Sequence, residues 1–193
     1  LTVVNDLYQK QINSLYGFAS LSYKNFAFLE VTARNDWSST LAPQHNSYFY
    51  PSVNASVLLD KAFNIGRAAR WIDMIKVFAD WANVGNDTDP YKLMSTYNNS
   101  TYFTGSYSIP TITLNDALRP ENTESLELGL ETSFFKNRLG INATVYQTNT
   151  TDQIINLPQD WASGAGATVI NAGCVRNSGV ELTLHGTPVD TKN

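Results

Sequence analysis

Apolar and polar residues alternate with a period of two through much of this chain. Leu15, Gly17, Ala19, Leu21 and Tyr23 share one parity, with Ser14, Tyr16, Phe18, Ser20 and Ser22 between them. Successive residues of a strand point to opposite faces, so this pattern predicts a strand with one apolar and one polar side. It recurs at Ala27, Leu29, Val31 and Ala33, at Val53, Ala55, Val57 and Leu59, and at Ile75, Val77, Ala79 and Trp81. Leu126, Leu128 and Leu130, then Leu139, Ile141, Ala143 and Val145, then Val180, Leu182 and Leu184 complete the series. Seven strands are predicted, with an eighth if residues 1–4 end another. Glu124, Glu127 and Glu131 sit at helical spacing, but the leucines there are two apart. Gly129 would also cost a helix interior about 1 kcal/mol. A strand is expected.

The predicted connections are short at 24–25 and 136–137, intermediate at 60–73, and long at 38–47, 85–122 and 149–176. Antiparallel neighbours place alternate connections at opposite ends, so one end carries short turns and the other carries long polar loops. The longest far exceeds the roughly 12–15 residues at which structureless loops become uncommon, which points to function.

Composition changes the picture next. Of 193 residues, 42% are hydrophobic and 12% aromatic, while only 16% are charged. Ordinary soluble domains carry about 25% charged residues. Lys+Arg number 13 against Asp+Glu 17, for a net charge of −4. Without a basic patch the chain is a poor nucleic-acid binder, and its aromatic content argues against disorder. The single cysteine, Cys174, excludes a disulfide framework. No apolar run of about 18 residues is present for a membrane-spanning helix, and no signal peptide is visible at the start.

Two architectures share the alternation. A soluble β-sandwich buries its apolar face, whereas an outer-membrane barrel turns that face to lipid. Three features favour the barrel: strands of about 9–11 residues, short turns opposite long loops, and aromatic residues at strand ends. Trp71 and Trp81 share a face with Ile75, Val77 and Ala79, and Tyr23 and Trp37 also close apolar faces. Ten tilted residues cover roughly 25 Å, the height of a lipid-facing band. Glu30, Arg34, Lys76, Asp80, Glu127, Glu131 and Glu181 all fall on the polar parity, expected to face the lumen.

Several motifs are more specific than alternation. They are Arg34-Asn35-Asp36-Trp37-Ser38-Ser39-Thr40-Leu41 followed by Tyr48-Phe49-Tyr50-Pro51, Gly85-Asn86-Asp87-Thr88-Asp89-Pro90-Tyr91, and Leu118-Arg119-Pro120-Glu121-Asn122-Thr123-Glu124-Ser125. Phe134-Phe135-Lys136-Asn137-Arg138-Leu139, Thr151-Asp152-Gln153-Ile154-Ile155 and Asn177-Ser178-Gly179-Val180-Glu181 continue the order. This series resembles the SusC/RagA family of TonB-dependent outer-membrane transporters. The departures are mild: Phe78 stands where a basic lumen residue is common, and Ser178 where Lys is common. The resemblance implies an all-β, antiparallel up-and-down transmembrane β-barrel segment, seven or eight strands of a barrel of about 22. Residues 1–193 would be one internal piece of the barrel domain, without plug domain, TonB box or final strands. The implied activity is TonB-powered uptake of oligosaccharides or peptides across the bacterial outer membrane, with a SusD-like surface lipoprotein as partner. The alternative kept beside it is a soluble β-sandwich module that binds carbohydrate.

No catalytic, cofactor or metal site is expected. His45 and His185 lack metal-ligand spacing with each other or with Cys174. Gly164-Ala165-Gly166 has no third glycine at position 169 and so no phosphate-binding pattern. Glu127 and Glu131 could suggest glycosidase chemistry, but a polar lumen wall explains them more simply. Asn86, Asp87 and Asp89 offer hard oxygens without dedicated Ca²⁺ spacing. The plausible ligand surface is aromatic. Tyr48, Tyr50, Tyr97, Tyr102, Phe103, Tyr107 and Trp161 stand in polar surroundings, where sugar rings could stack. Tyr97, Tyr102, Tyr107 and Trp161 are the preferred candidates, since a strand is expected to begin near Tyr48. The same rings could instead form an interface girdle or meet a capping lipoprotein.

Overall fold

A computed structural model of the chain describes residues 7–99 and 105–187; the eighth strand considered at residues 1–4 lies outside them. Seven long strands form one antiparallel sheet. They are β1 (Ile12–Tyr23), β2 (Ala27–Ser38), β3 (Ser47–Leu58), β4 (Ile72–Asn86), β8 (Glu121–Phe134), β9 (Leu139–Pro158) and β10 (Ala167–Gly186). Each pairs with its predecessor in an up-and-down order. Between β4 and β8 lie three short strands, β5 (Asn98–Asn99), β6 (Tyr107–Ser108) and β7 (Ile112–Thr113). Two one-turn helices, α1 (Leu59–Ala62) and α2 (Ile65–Ala68), occupy the connection after β3.

Register turns the alternation into two continuous faces. One lateral row reads Leu21, Leu29, Ala55, Ala79, Leu128, Val145 and Val180 across all seven strands. The neighbouring row on the opposite face reads Ser20, Glu30, Asn54, Asp80, Glu127, Tyr146 and Gly179. Slipping any pair by one residue would turn leucines to the polar side.

Among the described residues no second layer covers the apolar face. Leu21 is 66% exposed, Leu128 48% and Val180 75%, values a β-sandwich would not leave on its inner face. Among the described residues the buried hydrophobic ones are Leu41, Ala42, Leu118, Ala165 and Val169, all at the long-loop end. The sheet is therefore a wall in want of an apolar medium, and its folded core sits among the loops.

The turns at the other end are tight. Lys24 (φ 48°) and Asn25 (φ 56°) are both left-handed, and Phe26 N–H donates to Tyr23 O at 3.1 Å. This is the type I′ geometry whose twist suits a two-residue hairpin. Phe135, Lys136 and Asn137 make a left-handed turn between β8 and β9, closed by Asn137 N–H on Asp73 Oδ2 at 2.9 Å. Asp73 falls at a register shift between Ile72 and Met74.

Three expectations need correction. The connection predicted over 149–176 is mostly strand: β9 and β10 leave only residues 159–166 between them. The Thr/Asn-rich stretch there lacks apolar alternation, but its backbone ladder continues, helped by hydroxyl pairs such as Thr123–Thr150 at 3.0 Å and Ser125–Thr148 at 3.2 Å. Leu59 opens α1 instead of ending β3, while Tyr48 and Tyr50 lie inside β3 as expected. The 85–122 connection also carries structure. Its β7 pairs in parallel with the start of β10, an eighth strand that alternation could not reveal in two residues.

On the polar face, Phe78 lies across Gly129, its direct partner on β8, so a Cβ there would strike the ring. Gly129→Ala is expected to cost about 1–3 kcal/mol by overpacking, and much less in a Phe78→Ala background. Denaturant unfolding of the four proteins of that double-mutant cycle measures the coupling.

Candidate functional site

The long loops pack into a platform at one end of the sheet. Leu41, Leu118 and Val169, each at most 3% exposed, bring together two of the long-end connections and β10. Tyr48, Leu93, Ile112, Leu114 and Ile154 close around them. Polar brackets fix the same arrangement. Asn171 on β10 donates to Arg119 O at 2.8 Å and Asp152 O at 2.9 Å, and accepts Arg119 N–H at 2.8 Å. Gly166 N–H donates to Thr111 O at 2.9 Å. At the level of these brackets β9 and β10 both depart from regular geometry, with Asp152 at φ 55° facing Gly173 at φ 87°.

A second node is ionic. Asp87, just past β4, binds Lys10 Nζ at 2.6 Å, Ser38 Oγ at 2.5 Å and Thr40 Oγ1 at 3.1 Å. Its side chain is 7% exposed. Burial by itself pushes the carboxyl upward, but Lys10, Ser38 and Thr40 together outweigh it and hold it below the ordinary carboxylate range. The oxygens weighed for Ca²⁺ are thus taken up by protein donors at Asp87. Among the described residues no three His, Cys, Asp or Glu side chains converge to hold a metal.

The aromatic candidates separate. Tyr97, Tyr107 and Trp161 are 72%, 71% and 68% exposed, while Tyr102 and Phe103 lie outside the described residues. Tyr97 lines a cavity of about 230 Å³ with Ile109, Pro110, Gly164 and Ala165, and Trp161 folds over the neighbouring Gly166. Tyr107 is on the small β5–β6 hairpin, opposite Asn99. Among the described residues no ring contact joins these three.

The charged candidates lie together on the polar face. Glu30, Asp80 and Glu127 occupy one lateral row, where Ser20 donates to Glu30 at 3.2 Å and Asn54 donates to Asp80. Lys76 and Glu131 face each other across β4 and β8 at 3.3 Å. Both are about one-third exposed, so the pair adds little stability. Arg34 reaches Asp36 at 2.8 Å and Ser14 at 3.0 Å and lies over the Tyr50 ring, while Tyr50 Oη donates to Asp36 at 2.5 Å. Asp36 was legible in principle, because residues two apart on a strand share a face. Tyr16 and Phe18, each 73% exposed, also lie on the polar parity.

Aromatic rings mark both margins of the apolar face. Trp71 stacks on Phe134 and Phe135 at 5.5 and 5.9 Å, and Tyr23 meets Phe26 at 5.6 Å, all at the short-turn end. Trp37, Phe49 and Trp81 lie nearer the other end, with the Trp81 indole donating to Glu124 at 2.8 Å. Leucine, valine and alanine fill the band between.

The family model of the TonB-dependent receptor-like β-barrel matches residues 2–189. The chain belongs to that family. TonB-dependent receptors P26 and P3 of Formosa agariphila are each 26% identical to it, over 188 and 184 residues. These alignments cover 95% and 93% of this chain but 19% and 18% of those receptors. The chain thus spans about a fifth of the length of the curated relatives it matches. Among solved structures, the RagAB peptide importer superposes with a TM-score of 0.84 in its closed-closed state, at 26% identity over 94% of this chain and 20% of that one. Its open-open state gives 0.81 at 25% identity, over 95% and 20%. The siderophore receptor PirA of Pseudomonas aeruginosa, 17% identical with a TM-score of 0.61 over 91% and 31%, shares the fold. The resemblance to SusC/RagA proteins carried by the loop motifs is borne out. The family consists of receptors and transporters of the bacterial outer membrane and is not an enzyme class. Its barrel strands meet lipid with their apolar face.

Leu128→Arg, mid-strand on that face, is expected to cost about 2–4 kcal/mol and impair barrel assembly, while Leu128→Val is tolerated. Heat-modifiable electrophoretic mobility of the full-length TonB-dependent receptor reads this out. A second prediction concerns pH. Because the folded Asp87 carboxyl lies below its unfolded value, its contribution is present above the ordinary carboxylate pKa and lost as pH falls through the folded one. Pepsin cleavage within the loop over 87–120, normalised at each pH to cleavage of an unfolded reference peptide, should rise as pH drops below about 4. Asp87→Asn should make this cleavage high and nearly independent of pH.

Proposed function

We propose that this segment supplies part of the wall and outer rim of a TonB-dependent nutrient importer for oligosaccharides or peptides. The observation that carries this reading is a sheet with an uncovered apolar band on one face, a charged polar face behind it, and packed long loops at one end. Residues 1–193 act in it as part of one barrel domain. Glu30, Arg34, Lys76, Asp80, Glu127 and Glu131 line the lumen, which keeps the passage wet and charged. The long-loop end faces outward, where Tyr97, Tyr102, Tyr107 and Trp161 meet ligand. A SusD-like surface lipoprotein caps that platform, and energy arrives from TonB through a plug domain. The likeness to the RagAB peptide importer supports the import role. The segment itself performs no bond chemistry; it contributes shape, lipid anchoring and lumen polarity.

Growth tests this directly. Deleting the gene, or inactivating TonB, should abolish growth on one polymeric nutrient at limiting concentration and leave growth on simple monomers intact. Undiminished growth of the deletion strain on every glycan and peptide source would overturn the reading.

A further inference from the structure

The short-turn end carries a charge opposite to that of the chain. The net charge is −4, yet residues 59–73 and 135–138 hold Lys61, Arg67, Arg70, Lys136 and Arg138 against only Asp60 and Asp73. Backbone engages both carboxylates: Ile75 N–H donates to Asp60 at 3.1 Å, and Asn137 N–H donates to Asp73 at 2.9 Å. Phe135 N–H donates to Trp71 O at 2.8 Å. The bonds to Trp71 and Asp73 draw the turn against the end of the connection, so the backbone of Lys136 lies beside that of Arg70. Both residues are exposed, and among the described residues neither forms an ion pair. Lys61 differs, since it lines a cavity on the polar face with Asp60, Asp73 and Glu131. Beside Arg70 and Lys136 lies apolar surface at the margin of the lipid-facing band. Trp71, 51% exposed, stacks on Phe134 and on Phe135, itself 53% exposed. Its indole N–H has no acceptor among the described residues, whereas that of Trp81 donates to Glu124. The strands that carry this corner, β4, β8 and β9, are each paired on both sides, so its exposure is not that of a sheet edge.

We propose that this corner binds the headgroup of an anionic glycerophospholipid in the leaflet that the short turns meet. The inference rests on the lipid-facing wall and not on what the barrel imports. A phosphodiester needs cationic donors at the level where apolar side chains give way to water. Arg70 and Lys136 stand at that level, on side chains long enough to reach along it. Arginine supplies a planar fork that matches phosphate oxygens, and lysine a point charge. The Trp71 indole offers a third donor, for an ester or phosphate oxygen. Its ring and those of Phe134 and Phe135 lie against the upper acyl chains, as aromatic residues do at membrane interfaces. Charge selects the lipid. A zwitterionic headgroup brings its own ammonium to two cations that lack ion pairs, whereas an anionic one neutralises them. A soluble anion would leave the adjoining aromatic surface uncovered, and an amphiphile covers both.

The test uses the full-length receptor in phosphatidylethanolamine vesicles that contain brominated phosphatidylglycerol or, at equal mole fraction, brominated phosphatidylcholine. Bromine quenches tryptophan fluorescence on contact, and the difference between the receptor and its Trp71→Phe variant isolates Trp71. Phosphatidylglycerol should be preferred at Trp71 by about fivefold or more at low salt. The preference should shrink at about 0.5 M salt, where charge is screened. Arg70→Gln combined with Lys136→Gln should bring the ratio close to one. Arg70→Lys should keep most of the preference, and Lys92→Gln at the long-loop end should leave it unchanged. If the double variant fails to assemble, the salt dependence of the unaltered receptor and the Lys136→Gln single variant decide. No quenching at Trp71, equal quenching by the two lipids, a preference indifferent to salt, or one retained in the assembled double variant would overturn the site. Capture of a soluble periplasmic protein through Arg70 and Lys136, with no lipid preference, would overturn it in favour of a protein partner. Loss of the lipid preference with growth dependence intact rejects this site and leaves import standing.

Discussion

A strand crossing a bilayer must satisfy every backbone N–H and C=O without water, and must do so while turning apolar side chains outward. Everything else in this chain follows from that double demand. Each long strand pairs with its neighbour in the order β1, β2, β3, β4, β8, β9 and β10. The side chains divide so that no charge falls in the middle of the apolar face. Leucine, valine and alanine rows cross all seven strands in register, so pairing and lipid exposure are two consequences of one arrangement. The low charge of the composition has the same origin, since half of each membrane-spanning stretch meets a medium in which charge is costly.

Because lipid takes the place of a second layer, packing of the ordinary globular kind is confined to where the chain re-enters water. The Leu41–Leu118–Val169 cluster, the Asn171 brackets and the Asp87 node all lie at the long-loop end. There the sequence must build a small domain out of loops, with few buried side chains to do it. Buried polar groups carry much of the specificity, because each must find its partner or pay a desolvation cost. The loops are thereby given a defined shape, which a surface that selects ligands requires. The short-turn end needs less, and two tight left-handed turns and a pair of single-turn helices suffice.

How far the sequence alone revealed this divides along the same line. Period-two alternation exposed each long strand wherever one face meets lipid, as at Leu126, Leu128 and Leu130, because there the environment enforces the pattern. It failed where β9 and β10 climb beyond the apolar band. Thr148, Asn149, Thr150 and Thr151 put polar side chains on both faces and no longer alternate, although their pairing continues. The loop core was hidden for a different reason. Leu41, Leu118 and Val169 are isolated hydrophobic residues in polar stretches, and only the tertiary path of the loops brings them together. The charged candidates of the polar face were legible by parity alone. The nearness of Lys136 to Arg70 was not, because it depends on hydrogen bonds such as that from Asn137 to Asp73, 64 residues apart.

The central claim is that one face of this sheet meets lipid and the other does not. Spin labels placed singly at positions 126 to 131 of β8, with Cys174 replaced by serine in the full-length receptor in liposomes, test it most directly. Accessibility to membrane-dissolved oxygen should peak at 126, 128 and 130, with accessibility to a water-soluble nickel chelate out of phase with it. Uniform accessibility along the segment, or oxygen maxima at 127, 129 and 131, would contradict the account.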